Sequence, residues 1–178
     1  ALSLAKKGVN VVLTYLSHAD EANTVAAKIE SLGSRAVALQ LDTGDASKFP
    51  FFTERFADTL QRVFGRQSFD YLVNNAGIGI NASFAETTED EFDTLMNIHL
   101  KGVFFLTQRL LPLIEDGGRI VNLSSGLARF SLPGYAAYGT MKGAVEVLTR
   151  YMAQELGPRG RAVYASAPGA IETDFGGG

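Results

Sequence analysis

The sequence predicts an α/β fold built on a doubly wound parallel sheet, and three observations predict it. Short apolar runs rich in β-branched residues alternate with stretches of helical periodicity, and parallel neighbours need a helical crossover of this kind. The 178 residues are 46% hydrophobic and 20% charged, enough for one sizeable core and one domain spanning 1–178. The polar and glycine-rich clusters fall directly after the apolar runs, where ligands sit in such sheets.

Residues 1 to 7 read as the end of a helix that Gly8 stops. Val9 to Leu16 is a β-branched apolar run, and Ser17 to Asp20 supplies capping chemistry for an amphipathic helix to about Leu32, closed by Gly33. Ala36 to Leu41 is a second strand ending at Asp42. Phe52, Phe56, Leu60 and Val63 then recur at helical spacing between Phe49 and Val63. Phe69 to Val73 is a third strand running into Asn74-Asn75-Ala76-Gly77. Thr87 or Thr88 caps a long helix ending near Leu113. Gly117-Gly118 turns the chain into a strand at Arg119 to Leu123. A Ser- and Gly-rich loop leads to a helix from about Tyr135 to Leu156, which Gly157-Pro158 stops before a strand at Arg161 to Ser166.

Charge and composition exclude several classes. Net charge is −3 and the pI near 5.4, so no basic footprint invites nucleic acid or an anionic membrane. With no cysteine there is no disulfide, thiolate metal site or thiol nucleophile, and two histidines make a histidine-built metal site improbable. No apolar run approaches the roughly 20 residues of a membrane span and no signal peptide opens the chain. A soluble, cytoplasmic protein is the expectation.

Tyr138 and Lys142 stand four residues apart in a predicted helix, which stacks both side chains on one face. Bringing a phenol from its reference pKa of about 10 to about 7 takes roughly 4 kcal/mol, and a nearby ammonium is a suitable source. Ser125 lies at the end of a predicted strand, 13 residues before Tyr138, where its hydroxyl can meet the phenol. A serine-hydrolase reading fails because Leu123-Ser124-Ser125-Gly126-Leu127 lacks the G-x-S-x-G elbow and no suitable histidine and acid follow.

The set Asn74-Asn75-Ala76-Gly77, Ser125, Tyr138-Gly139-Thr140-Met141-Lys142 and Ala167-Pro168-Gly169 through Thr173, in this order and at these distances, resembles the single-domain short-chain dehydrogenases/reductases. The resemblance covers essentially the whole chain. It implies a Rossmann-like, three-layer α/β/α fold and a nicotinamide-dependent oxidoreductase interconverting a carbonyl and an alcohol, the alternative being a relative that binds nucleotide without catalysis. It further implies that Tyr138 is general acid or base, that Lys142 lowers its pKa and holds the nicotinamide ribose, and that Ser125 bonds the substrate oxygen. Asp42 and the backbone at Thr43 would contact adenine. Asn74, Ala76 and Gly77 would brace the sheet and line the cofactor, and Pro168, Gly169, Ile171 and Thr173 would embrace the nicotinamide amide.

Three departures from the family pattern matter. The family's fourth catalytic residue, an asparagine directly before Leu-Lys-Gly, is His99 here, with Asn97 two residues earlier. Because that asparagine acts largely through its backbone carbonyl, His99 either preserves the relay to the lysine or is a packed histidine. The family's glycine-rich phosphate loop and the strand before it are missing, as are its last strand and substrate-covering segment. Their absence reads as a fragment, and the sheet is expected to be split between the strands at 9–16 and 69–73. Val163-Tyr164-Ala165-Ser166 replaces a stretch that commonly holds an asparagine; Tyr164 has no functional reading.

For the cofactor, NADP(H) is preferred and NAD(H) stays admissible. The strand ending Thr14-Tyr15-Leu16-Ser17 has no acid before Asp20 to accept from a ribose 2′-hydroxyl or repel a 2′-phosphate. The expected partners are a small-molecule carbonyl or alcohol and further copies of the chain. Phe92, Leu95, Met96, Val103, Phe104, Phe105, Leu106, Leu110 and Leu111 give the helix from about Glu89 more apolar surface than one buried stripe needs, which predicts a homodimer or homotetramer.

Overall fold

A computed structural model describes residues 1–169. The chain divides into two compact units, one of Ala1–Asp42 with Ser47–Gln67, the other of Thr43–Ala46 with the chain from Ser68 onward.

In the first unit, α1 (Leu2–Ala5) leads through Gly8 into β1 (Val11–Tyr15), α2 (Ala19–Ser31), β2 (Ala36–Gln40) and α3 (Phe49–Thr59). The two strands pair in parallel, from Val11 against Ala36 to Tyr15 against Gln40. The crossover helix α2 buries Ala22, Ala26 and Ile29, the i, i+4, i+7 stripe its sequence carries. Ala26 and Ile29 meet Ala5 and Ala36 in one apolar cluster. Capping chemistry expected from Ser17 to Asp20 is not used as such. The N-cap is His18, whose side chain makes no cap bond, while Asp20 and Glu21 complement the positive end of the helix from its first turn. Gly33 closes the helix at φ +89, a conformation that favours glycine. The helix predicted between Phe49 and Val63 is interrupted: after Thr59 it widens into a π-helical turn, Leu60–Phe64.

In the second unit, β3 (Phe69–Asn74), β4 (Ile114–Leu123) and β5 (Ala162–Ser166) form a parallel sheet in that order. Among the described residues the strands thus form two sheets, β1-β2 and β3-β4-β5, and the split expected between the strands at 9–16 and 69–73 is observed. Thr88 caps α4 (Glu89–Met96) in a full capping box with Glu91. The single helix predicted to run on to Leu113 is broken, because a π-helical turn at Asn97–Lys101 separates α4 from α5 (Gly102–Leu110). β4 starts at Ile114 rather than Arg119, with Gly117 and Gly118 inside it. A Cβ on Gly118 would lie 2.8 Å from Ile114 Cγ2 and 2.9 Å from the Asp70 carbonyl, so only glycine lets the strands close there. Arg161, buried beside this irregularity, donates to the carbonyls of Ile114 and Glu115. α6 (Ala136–Leu156) completes the unit.

Asn74 and Asn122 are register partners on β3 and β4, so their side chains share a sheet face. Asn74 donates to Thr107 of α5 and to Asn122, and Asn122 donates to Thr149 of α6. Both helices therefore pack on that face.

Candidate active site

The carboxyl end of β4 and the first turns of α6 bring three predicted residues together. Tyr138 and Lys142 are 6% and 5% exposed. The Lys142 ammonium donates to the Leu123 carbonyl at 2.7 Å and stands 5.6 Å from the centroid of the Tyr138 ring. Ser125 caps the short turn Gly126–Ala128, accepting from the Leu127 amide at 3.2 Å, and its hydroxyl bonds the Tyr138 phenol.

The electrostatics differ in one respect from the family pattern, in which the lysine depresses the tyrosine. Burial pushes the Tyr138 phenol above its ordinary value, and the Ser125 hydrogen bond only partly opposes this. Burial also lowers Lys142 to about 8, because taking an ammonium out of water favours its neutral form. With its pKa raised by burial, the Tyr138 phenol is protonated at neutral pH.

His99 lies in the π-helical turn, 1% exposed. Its Nε2 is 2.9 Å from the Ile78 carbonyl and 3.3 Å from the Ile78 amide; the shorter contact makes Nε2 the donor. Nδ1 is then a buried acceptor with no partner among the described residues. The ring meets Tyr138 edge to face, centroids 5.2 Å apart. Burial first, then the Lys142 charge, lower His99 to about 4 against the pull of the Ile78 carbonyl. The imidazole is therefore neutral at pH 7. It also fixes Gly77, where a Cβ would come 2.7 Å from His99 Cε1.

The other predicted residues are more dispersed. Asp42, in the first unit, pairs with Lys48 at 3.7 Å. The Thr43 carbonyl lies where a Cβ on Gly102 would be, at 2.2 Å, so that glycine admits the backbone. Asn74 is committed to Thr107 and Asn122. Ala76 and Gly77 are exposed. The Pro168 carbonyl accepts from the Gly126 amide at 3.1 Å, which ties the Pro168-Gly169 segment to the Ser125 loop. Ile171 and Thr173 lie outside the described residues. Sequence reasoning missed the Asn122–Thr149 link and the contacts of Glu146. The available signal was an asparagine inside the apolar run Ile120-Val121-Asn122-Leu123.

An ammonium has three donors. Among the described residues Lys142 spends one on the Leu123 carbonyl, which leaves two for a ligand such as a ribose diol, and Gly169, where a Cβ would meet nothing within 4 Å, lets a flat ring approach closely. These residues fit a dinucleotide.

Comparison with known proteins follows the same line. Residues 1–178 match the family described as enoyl-(acyl carrier protein) reductase. The hydroxynaphthalene reductase-like protein Arp2 of Metarhizium brunneum is 38% identical over 98% of the chain, and the short-chain dehydrogenase/reductase AacuN of Aspergillus aculeatus is 35% identical over the same share. The chain spans 64% of the length of each. Among solved structures, the promiscuous reductase LugOII superposes with a TM-score of 0.92 at 36% identity, over 99% of this chain and 70% of its own. The landomycin C-6 ketoreductase LanV with bound NADP and rabelomycin gives 0.88 at 36% identity, over 93% and 69%.

Proposed function

The chain belongs to the short-chain dehydrogenase/reductase family, and from that premise we propose an oxidoreductase that uses NADP(H) to interconvert a small-molecule carbonyl and its alcohol. The observation that carries this reading is the convergence of Ser125, Tyr138 and Lys142 on one buried corner, the first bonded to the second and the third over its ring. The relatives named above as reductases, and LanV with its bound NADP, support it.

NADPH, when bound, supplies the hydride that adds to the carbonyl carbon. Ser125 and Tyr138 donate hydrogen bonds to the carbonyl oxygen and orient it. As negative charge grows there, the phenolic O–H of Tyr138 breaks and its proton forms the new alcohol O–H. A phenol held above its ordinary pKa is protonated at neutral pH and ready to donate. Lys142, at about 8, is mostly an ammonium at pH 7 and opposes the charge left on the phenolate. Oxidation of an alcohol runs through the same groups in reverse.

Lys142 would hold the ribose. Asp42 and Thr43 would meet the adenine, Ala76 and Gly77 would line the cofactor with Asn74 bracing them, and Pro168, Gly169, Ile171 and Thr173 would face the nicotinamide amide. His99 takes the place of the family asparagine, with its neutral ring fixing the Ile78 backbone and the edge of Tyr138. NADP(H) is favoured over NAD(H) because no acid stands between Tyr15 and His18. We take residues 1–178 as one dinucleotide-binding and catalytic domain of a cytoplasmic homodimer or homotetramer. Phe104, Phe105, Val147 and Tyr151, exposed on α5 and α6, support the assembly, and among the described residues no helix is long and apolar enough to cross a membrane.

The test is incubation of the full-length protein with NADPH and a panel of ketones and aldehydes, with the product identified. NADPH consumption matched by alcohol formation is expected. Binding of NADPH without oxidation across the panel would overturn the catalytic reading.

A further inference from the structure

We propose that Glu146 is a positioning residue for catalysis, holding the Ser125 loop against the helix that carries Tyr138 and Lys142. Tyr138, Lys142 and Glu146 follow one another at four-residue steps on α6, so they share a face of the helix. The first two are accounted for by the chemistry, whereas the third is a carboxylate only 18% exposed that the chemistry does not use.

Among the described residues the contacts of the Glu146 carboxylate lead to one loop. Its Oε1 accepts from the Ser124 hydroxyl at 3.0 Å and lies 3.7 Å from an Arg129 guanidinium nitrogen. Ser124 and Arg129 flank Ser125 and the turn that Ser125 caps. Ser124 is 4% exposed, and its hydroxyl also lies 3.2 Å from the Lys142 carbonyl. From the other side the loop is held by strand-end backbone, the Ser124 amide donating to Ser166 at 2.7 Å and the Gly126 amide to Pro168 at 3.1 Å. Glu146 thus supplies the side-chain half of a clamp whose other half is main chain. A loop serine keeps a hydrogen bond to a helix tyrosine only if loop and helix hold their spacing, and reacting groups tolerate little displacement. Without the Glu146 acceptor, the buried Ser124 hydroxyl would keep, among the described residues, the longer 3.2 Å contact.

The inference rests on the oxidoreductase reading, and its test separates the two. In the full-length protein, Glu146→Ala is expected to lose about tenfold in kcat, a modest share of what geometric positioning supplies, with Kd for NADPH and the melting temperature nearly unchanged. Glu146→Gln keeps an acceptor for Ser124 and is expected to restore most of the rate. Amide hydrogen exchange at Gly126 and Leu127, which needs no turnover, is expected to quicken in Glu146→Ala and not in Glu146→Gln. If wild-type protein turns over no carbonyl, the oxidoreductase reading fails and the exchange result alone decides whether Glu146 holds the loop. Unchanged kcat and exchange in Glu146→Ala, equal damage in both variants, or a parallel fall of rate, cofactor affinity and melting temperature would each overturn the proposal.

Discussion

In the first unit the side chains that leave water are mostly alanines, leucines, Ile29 and the phenylalanines of α3, whereas the second buries Lys142, His99, Asn122, Ser124, Thr107, Thr149 and Arg161 beside its apolar core. The first unit's exceptions are Ser34 and Thr59, and each bonds a backbone carbonyl, of Ala5 at 3.0 Å and of Arg55 at 2.8 Å. Such hydroxyls are placed at little expense. A buried ammonium is not, because desolvating a charge costs several kcal/mol that packing does not return. The difference teaches where to look for chemistry: a fold seeking stability alone would fill these positions with aliphatic residues. Perturbed, buried ionisable groups gathered at strand ends mark a site.

Replacing Lys142 by Ala should break that comparison most visibly. Turnover of a carbonyl by NADPH is expected to fall by about 10³-fold, the usual worth of a preorganised charge in a dry site, and NADPH affinity should fall with it, as steady-state kinetics and fluorescence titration would show. The fold should respond in the opposite sense. Lys142 titrates at about 8 in the folded chain against an ordinary 10.5, so between these values the unfolded chain binds more protons and stability rises with pH. In denaturant titrations from pH 8 to 10.5, Lys142→Ala should lose that rise. A variant as pH-dependent as the wild type would remove Lys142 from the account.

Ile29→Ala makes the complementary cut. Ile29 is fully buried, and emptying its site should destabilise the protein by about 2–5 kcal/mol. At a temperature where the variant remains folded, kcat should be unchanged. A rate loss beyond the unfolded fraction would mean that the apolar core of the first unit takes part in the chemistry.

His99→Asn sharpens the contrast at low pH. His99 titrates at about 4 when folded against an ordinary 6.5. The unfolded chain therefore takes up its proton first, and stability is lost as pH falls from 6.5 to 4, by at most about 1.4 kcal/mol per pH unit from this one group. The asparagine variant should show a shallower acid limb in the same titration. An unchanged limb would place the acid sensitivity elsewhere.

Much of this contrast was legible in the sequence, because the residues concerned announce themselves by position. Tyr138 and Lys142 are one helical turn apart, Ser125 ends a β-branched run, and Gly8 and Gly33 stop helices with positive φ. Less legible were features set by neighbours distant in the chain. The π-helical turns at Leu60–Phe64 and Asn97–Lys101 leave the apolar periodicity nearly intact, so the pattern alone reads as unbroken helix. The early start of β4 depends on Gly118 closing against Asp70. The packing of the His99 ring against Ile78 and Tyr138 depends on burial that no local pattern encodes. The raised phenol of Tyr138 likewise follows from desolvation in the assembled core, where spacing suggested only the proximity of Lys142.

The most direct test of the central claim, that the buried corner of the second unit performs the chemistry, is the single-turnover rate of Tyr138→Phe in the full-length protein with NADPH and a turned-over carbonyl. The variant keeps the ring that His99 and Lys142 pack against and removes only the proton donor. The expected result is a loss of about 10²- to 10⁴-fold in the rate of reduction, with Kd for NADPH nearly unchanged. A variant that retained more than half of the wild-type rate, with chemistry limiting, would contradict the account.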